Sequence, residues 1–239
     1  MGLFHFSEEM ENIKAILLDV DGTLYRQGPL RRQMIKEMLA HVLRNPIYGW
    51  RDIRIIYSFR KERENLRKVS LRDNLALESL QYRLVAEKLG VSDVLVRQIV
   101  QEWIYQRPLK YLKACKIPGL DDFLKTCRQL GLRIGIFSDY PAQEKLKALE
   151  IAHWIDLVLC ATDPEINAFK PSPRGLEVAL KRWQLSSKEV LYVGDRPEVD
   201  GKCAMALGVP FVLIGKNRKN SPKDIPCFKD YKNLLSRFR

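Results

Sequence analysis

The stretch that decides the fold is IKAILLDVDGTL, residues 13–24. Residues 13–20 form a short apolar run, which is typical of a strand buried in a parallel sheet. An Asp-Gly turn pair then ends the run. Asp19 and Asp21 lie two residues apart, and residues with this spacing on an extended strand point to the same side. The stretch therefore predicts a buried strand with two carboxylates at its end, although either could be a solvated turn residue if considered alone.

Helices and strands alternate along the second half of the chain. Apolar runs predict strands at 132–137, 155–160, 190–193 and 210–214, and periodicity predicts helices at 120–130, 141–149, 173–183 and 200–207. This alternation predicts a parallel sheet with helices on both faces. We also expect a surface loop at 216–226 and a short terminal helix at 231–238.

The segment between the first strand and its sheet partners has no strand signals. Its pattern predicts helices at 34–43, 53–69, 75–89 and 92–105. We therefore predict an α/β fold, a Rossmann-like three-layer sandwich with a parallel sheet and an inserted all-helical cap domain. The predicted division assigns residues 1–25 and 114–239 to the core and residues 26–113 to the cap.

Polar residues follow several of the predicted strands. Ser138 ends the second strand, Asp195 follows the fourth, and Asp200 comes shortly after it. Lys170 lies in the segment FKPSP after the third strand. Open parallel sheets bind ligands at the carboxyl ends of their strands, so we expect these side chains to meet the first two carboxylates at one edge.

This set of side chains suits phosphoryl transfer. One carboxylate of the first strand can attack phosphorus while the other protonates the leaving oxygen and later activates water. Three acidic groups at one edge repel each other unless a hard cation such as Mg²⁺ neutralises them. Lys170 and Ser138 can hold the phosphoryl oxygens. Taken singly, Lys170 could be a surface lysine, and Ser138 and Asp200 could be helix N-caps.

The order of these motifs resembles that of the haloacid dehalogenase-like superfamily. The family's DxDGT motif matches residues 19–23, its strand-end serine matches Ser138, its lysine matches Lys170, and its GDxxxxD motif matches residues 194–200. A helical cap between the first two motifs is similar to the phosphoglycolate phosphatase and β-phosphoglucomutase-like subgroup. One departure is Asp139, where the family often has Asn, and we expect it to face away or to make a hydrogen bond.

The resemblance implies a role for each motif residue. Asp19 and Asp21 are the expected catalytic residues, as nucleophile and as general acid and base. The expected magnesium ligands are Asp19, Asp21 through its backbone carbonyl, and Asp195. The substrate would be bound by Thr23, Ser138 and Lys170, with Asp200 supporting Lys170 or a metal-bound water.

The function implied is a Mg²⁺-dependent phosphatase that hydrolyses a small phosphorylated metabolite through an aspartyl-phosphate intermediate. One alternative is a sugar phosphomutase of the β-phosphoglucomutase kind, which differs in its product. A second alternative, from another class, is a non-catalytic binding protein on the same fold. The intact set of motif residues argues against that last alternative.

Composition limits the partners and the compartment. The net charge of +12 favours anionic partners, and the five cysteines lack CxxC spacing, so reduced thiols are expected. The chain shows neither a secretion signal nor a membrane-length apolar run, so we expect a cytoplasmic protein, as a monomer or homodimer. We expect no nucleic-acid or membrane partner. The basic helix at 53–69 leaves open the alternative that an anionic surface is a partner. The favoured interpretation is that its charged face is simply exposed to solvent. Trp50, Trp103 and Tyr105 are interpreted as packing within the cap.

Overall fold

The computed structural model describes residues 12–68, 76–215 and 225–237. Six parallel strands form one sheet in the order β3-β2-β1-β4-β5-β6. The strands are β1 (Ala15–Leu18), β2 (Arg133–Ser138), β3 (Leu157–Cys160), β4 (Val190–Gly194), β5 (Phe211–Ile214) and β6 (Cys227–Phe228). The first five confirm the predicted strands. The sixth was not predicted, because two residues are too few to show an alternating pattern.

The first strand lies at the centre of the sheet. Leu18 pairs with Ile136 of β2 on one side and with Val193 of β4 on the other. One residue later, the Asp19 amide donates to the Val193 carbonyl at 2.9 Å. The carboxyl ends of β1, β2 and β4 therefore meet at one edge, although their residues are far apart in the chain.

Helices cover both faces of the sheet. The core helices are α6 (Leu120–Gln129), α7 (Gln143–Ala148), α8 (Arg174–Trp183), α9 (Lys202–Leu207) and α10 (Tyr231–Leu235). Ile16 and Leu18 of β1 belong to the apolar layer shared with α6, α7 and α10. Ala15 and Leu17 belong to the opposite layer, shared with α8 and α9. Alternate side chains of β1 thus enter two cores, which confirms the predicted three-layer α/β sandwich.

Among the described residues, five α-helices lie between β1 and α6. They are α1 (Gln27–Arg44), α2 (Pro46–Leu66), α3 (Leu77–Leu89), α4 (Asp93–Val100) and α5 (Leu109–Cys115), with a π-helical segment at Gln101–Gln106. The first begins before the predicted residue 34 because Pro29 is tolerated in a first turn, where amides have no intrahelical partner. Ile55, Phe59, Val85 and Trp103 belong to a separate apolar core between these helices.

The chain leaves the sheet domain for the inserted helices and returns to it at one place. The Arg26 amide donates to the Cys115 carbonyl at 2.8 Å, and the Ile117 amide donates to the Leu24 carbonyl at 3.0 Å. These two crossings lie close to the predicted domain limits, but the division into core and cap stays a prediction. The end of the predicted helix at 69 and most of the predicted loop at 216–226 lie outside the described residues.

The two predicted tryptophans of the cap differ in burial. Trp103 is buried as predicted, but the packing role expected for Trp50 is wrong, because 61% of its surface is exposed. The five cysteines are free thiols, and four of them are buried. Among the helices of the described segments, none combines the length and the hydropathy needed to cross a membrane.

Candidate active site

The loop after β1 places Asp19 at the carboxyl edge of the sheet. The Asp19 side chain is almost fully buried, and the Thr23 hydroxyl donates to its Oδ2 at 2.9 Å. Thr23 is itself inaccessible to solvent, so it orients the carboxylate from behind. The contact between Thr23 and a substrate phosphoryl group stays a prediction.

Lys170 lies beside Asp19 with its ammonium group directed into the same edge. Lys170 Nζ is 2.5 Å from Asp19 Oδ1, 2.7 Å from Asp200 Oδ1 and 3.0 Å from the Tyr192 hydroxyl. Burial lowers the pKa of Lys170, but Asp19 and Asp200 outweigh burial and hold this pKa well above its ordinary value. A permanent positive charge is therefore fixed next to Asp19 and also contacts Asp200, whose supporting role stays a prediction.

Three carboxylates converge at this edge. Oxygens of Asp19, Asp195 and Asp200 all lie within 4.8 Å of one another. Burial is the main cause that raises the pKa of Asp19 to about 7 and that of Asp195 to about 8, and neighbouring carboxylates add to both shifts. Three carboxylates face the single ammonium group of Lys170, so the cluster carries surplus negative charge when all three are ionised. An all-oxygen set with surplus negative charge fits a hard divalent cation such as Mg²⁺.

The expected magnesium ligands Asp19 and Asp195 belong to this acidic cluster, together with Asp200. The carboxylate of Asp21, which was not an expected ligand, contacts Lys145. The backbone carbonyl of Asp21, which was expected to reach the metal, accepts a hydrogen bond from Gln27 Nε2. The choice of metal ligands therefore stays a prediction.

Gly22 allows the first and fourth loops to approach each other. Its φ of +105° is in the region that favours glycine, and a Cβ built there would lie 2.0 Å from Asp195 Oδ2. No other residue type fits without moving the Asp195 carboxylate. The glycine of the DxDGT motif is therefore needed for the carboxylates to meet.

Asp21 has a partner that the sequence analysis missed. Lys145 of α7 donates to both oxygens of the Asp21 carboxylate, at 2.6 and 2.8 Å, and the Tyr25 hydroxyl donates to Oδ1. Burial raises the pKa of Asp21, but Lys145 outweighs it, so this pKa lies below its ordinary value. One sequence feature could have identified Lys145: it lies on the same buried stripe as Ala142 and Leu149, where a lysine is unusual.

The end of β2 supplies Ser138 and Asp139. Ser138 is buried, and its hydroxyl accepts a hydrogen bond from the Tyr140 amide at 3.2 Å. Asp139 Oδ1 accepts from the Lys170 amide at 3.1 Å, as expected for a residue that makes a hydrogen bond. Burial raises the pKa of Asp139, but Lys170 and Arg67 outweigh it and hold this pKa below its usual range.

Arg63 of α2 and Arg67, the residue after the end of α2, reach this side of the sheet from the cap. Arg67 Nη1 is 2.7 Å from Asp139 Oδ2 and 2.7 Å from the Lys170 carbonyl. Arg63 donates to the Asp139 carbonyl at 2.6 Å and to Gln81. The interpretation of the basic helix as a solvated face is wrong for both residues. Arg63 lies four residues after the buried Phe59, on the same face of the helix. This spacing was the sequence feature that could have indicated that Arg63 is buried.

Arg63 is also enclosed by aromatic rings. Its guanidinium carbon is 3.9 Å from the ring centre of Tyr140 and 4.2 Å from that of Phe169, and only 2% of the residue is exposed. Stacking and hydrogen bonding replace the water that this cation loses. The cap is thus fastened to the loops that follow β2 and β3.

The sequence matches a model of one known protein family. The model described as haloacid dehalogenase-like hydrolase matches residues 13–208, most of the chain. The chain belongs to the haloacid dehalogenase-like hydrolases. The match includes all four motifs, from Asp19 to Asp200.

Curated relatives extend over nearly the same length. A glyceraldehyde 3-phosphate phosphatase from Methanocaldococcus jannaschii is 28% identical over 220 residues, which are 89% of this chain and 89% of that protein. A phosphoserine phosphatase from Thermus thermophilus is 24% identical and covers 90% of this chain and 94% of its own length. A phosphoglycolate phosphatase from Salmonella typhimurium is 23% identical over 86% of this chain and 82% of its own.

Solved structures show the same fold. A hydrolase of this family from Bacillus subtilis, solved bound to magnesium, superposes with a TM-score of 0.64 at 14% identity, over 94% of this chain and 97% of that one. A 2-haloacid dehalogenase from Pseudomonas syringae gives a TM-score of 0.63 at 18% identity, over 95% and 98% of the two chains. These similarities extend over core and cap together, so the fold includes both.

Proposed function

We propose that this protein is a Mg²⁺-dependent phosphatase that hydrolyses a small phosphorylated metabolite through an aspartyl-phosphate on Asp19. The observation that carries the proposal is the position of Lys170 Nζ, 2.5 Å from Asp19 Oδ1, inside a cluster of three carboxylates. A phosphoryl group bound beside Asp19 would meet a fixed cation, as charge stabilisation in phosphoryl transfer requires. Three relatives are also named phosphatases.

The metal site is assigned to the same carboxylates. Asp19 and Asp195 would hold Mg²⁺, with Asp200 or the Asp21 carbonyl completing the protein ligands. Mg²⁺ bound there supplies positive charge that offsets the phosphoryl oxygens and keeps the carboxylates ionised. Lys170 and Ser138 would bind the remaining phosphoryl oxygens.

The residues of the chain then perform two successive chemical steps. In the first, an Asp19 oxygen bonds to phosphorus while the ester oxygen leaves and takes a proton from Asp21. In the second, a water oxygen bonds to phosphorus and gives a proton to Asp21 while the bond between phosphorus and Asp19 breaks, which releases inorganic phosphate and restores the Asp19 carboxylate. The ionised Asp21 beside Lys145 suits the second role directly. The first role requires Asp21 to bind a proton before the ester bond breaks.

Substrate size is inferred from the cap and the relatives. The relatives named above act, by their names, on small phosphate monoesters. Caps of this kind exclude water and select the substrate. We therefore expect a small phosphate monoester as substrate, and a cytoplasmic location stays a prediction.

Release of inorganic phosphate from p-nitrophenyl phosphate and from a panel of small phosphate monoesters tests the proposal. Activity should require Mg²⁺, stop in excess EDTA and fall about 1,000-fold or more in Asp19→Asn. Asp122→Asn, at an exposed position in α6, is the matched control and should be fully active. An isomeric sugar phosphate as product would identify a phosphomutase instead. A folded protein that turns over no phosphate ester would refute the enzymatic proposal.

A further inference from the structure

The end of α1 and the beginning of α2 expose large apolar side chains to solvent. We call residues 43–50 the hairpin tip. Leu43 is 82% exposed, Ile47 83%, Tyr48 58% and Trp50 61%. Single exposed apolar residues are common, but four within eight residues form a patch of the kind that marks an interaction site.

The apolar side chains continue along both helices together with cations. On α1, the exposed Ile35 and Leu39 precede Leu43 at intervals of four residues. On α2, the exposed residues on one helical face are, in order, Ile47, Trp50, Arg54, Tyr57 and Lys61. A helix face that mixes aliphatic, aromatic and basic side chains has the composition of a helix at a membrane–water interface.

Charge in this hairpin is strongly one-sided. Residues 27–68 contain eleven Lys and Arg against four Asp and Glu, so they carry +7 of the net +12 of the chain. The acids are engaged within the protein: Glu37 with Arg107, Asp52 with Arg51, Glu62 with Lys88 and Glu64 with Arg67. The outward field of the hairpin is therefore positive and favours an anionic partner.

We propose that the hairpin tip binds the surface of an anionic lipid bilayer. Trp50, Ile47 and Leu43 would enter the boundary between headgroups and acyl chains, and Arg44 and Arg54 would contact lipid phosphates. A second copy of this chain fits the patch less well, because a two-fold contact would bring the same cations together. Binding is peripheral, since no helix of the described residues could span the bilayer.

The tip is remote from the catalytic edge. Ile47 and Arg63 are sixteen positions apart in one continuous helix, which is about 24 Å at the rise of an α-helix. Docking through the tip therefore leaves the site at Asp19 free to bind a soluble substrate. The proposal does not depend on the proposed function, and activity towards soluble substrate serves as a test of folding.

Co-flotation of the full chain with vesicles tests the proposal. One set of vesicles contains phosphatidylcholine alone, and the other contains phosphatidylcholine with about one-third phosphatidylglycerol. We expect the protein to float with the anionic vesicles at low salt and to be released as salt is raised. Equal partition into both kinds of vesicle, or into neither, would overturn the proposal.

Single substitutions identify which residues contact the vesicle surface. Trp50→Ser should lower the partition coefficient about tenfold, and Arg54→Gln should lower it about fivefold. Val94→Ser removes a side chain with 59% exposure elsewhere on the cap, and Arg83→Gln removes an exposed cation of α3, so both are matched controls expected to bind as the unmodified chain does.

Two results would count against the assignment to the tip. One is equal loss of vesicle binding in Trp50→Ser and in Val94→Ser. The other is a dimer in analytical ultracentrifugation that Trp50→Ser dissociates, because a second copy would then cover the patch. Circular dichroism and activity towards p-nitrophenyl phosphate confirm that each variant is folded.

Discussion

Lys145 Nζ contacts both carboxylate oxygens of Asp21, at 2.6 and 2.8 Å, across 124 positions of the sequence. The contact joins the helix after the second motif to the proposed general acid and base. Because both residues are largely buried, the lysine holds Asp21 in one orientation and balances its charge. In the proposed mechanism, Lys145 is therefore a positioning residue that acts through Asp21.

The first prediction concerns this pair. Lys145→Met should lower kcat at least about tenfold, because Asp21 loses its orientation and its countercharge. KM should change little, since no contact between Lys145 and substrate is proposed. Lys147→Met, in the same helix and exposed, is the control. Equal kcat in the two variants, measured by phosphate release, would remove the role assigned to Lys145.

The second prediction concerns the metal. Asp195→Asn should abolish the heat signal of Mg²⁺ binding in isothermal titration calorimetry, whereas Glu198→Gln in the same loop should bind as before. In EDTA, Asp195→Asn should be at least as stable to denaturant as the unmodified protein, since it relieves repulsion among buried carboxylates. A metal-free variant that is clearly less stable would mean that Asp195 has another structural partner.

The third prediction separates steric contact from backbone strain at Gly22. Gly22→Ala should lose activity about 100-fold or more and weaken Mg²⁺ binding, because its Cβ would displace the Asp195 carboxylate. Gly131→Ala is the matched control: its φ is +74°, but a Cβ there has open space. The control should lose roughly 1 kcal/mol of stability and keep its activity. Comparable activity in the two variants would contradict the steric account.

The fourth prediction concerns the buried guanidinium of the cap. Arg63→Met should lower the free energy of unfolding by about 2 kcal/mol, since the Asp139 carbonyl and Gln81 would lose a charged donor. Arg60→Met, one turn earlier in α2 and exposed, should change it by less than about 0.5 kcal/mol. Urea denaturation followed by circular dichroism measures both. Equal midpoints would show that Arg63 contributes no net stability.

The sheet and the candidate site at its carboxyl edge could be predicted from sequence because they depend on local signals. Apolar runs identify the strands, and parallel topology then brings the ends of β1, β2 and β4 to one edge whatever their separation in the chain. Asp19, Lys170, Asp195 and Asp200 all follow from that rule together with the motif order. Their proximity was predictable without any knowledge of side-chain packing.

Contacts between cap and core could not be predicted in the same way. Helical spacing from apolar neighbours was a signal of burial at positions 63 and 145 that the sequence prediction did not use, and such spacing names no partner for a buried charge. Those partners, Asp139 and Asp21, come from tertiary packing between segments 76 and 124 positions apart. Trp50 was placed in the cap core because tryptophan is usually well buried, whereas the hairpin turn leaves it outside.

The continuity of α2 couples its two ends mechanically. Twenty-one residues form one helix, with Ile47 and Trp50 near its beginning and Arg63 near its end. A tilt of about 10° about the first turn would displace the last turn by about 4 Å, given the helix length at 1.5 Å per residue. The 2.6 Å hydrogen bond from Arg63 to the Asp139 carbonyl would not survive such a displacement. This one bond therefore fixes the orientation of the whole helix, hairpin tip included, relative to the sheet domain.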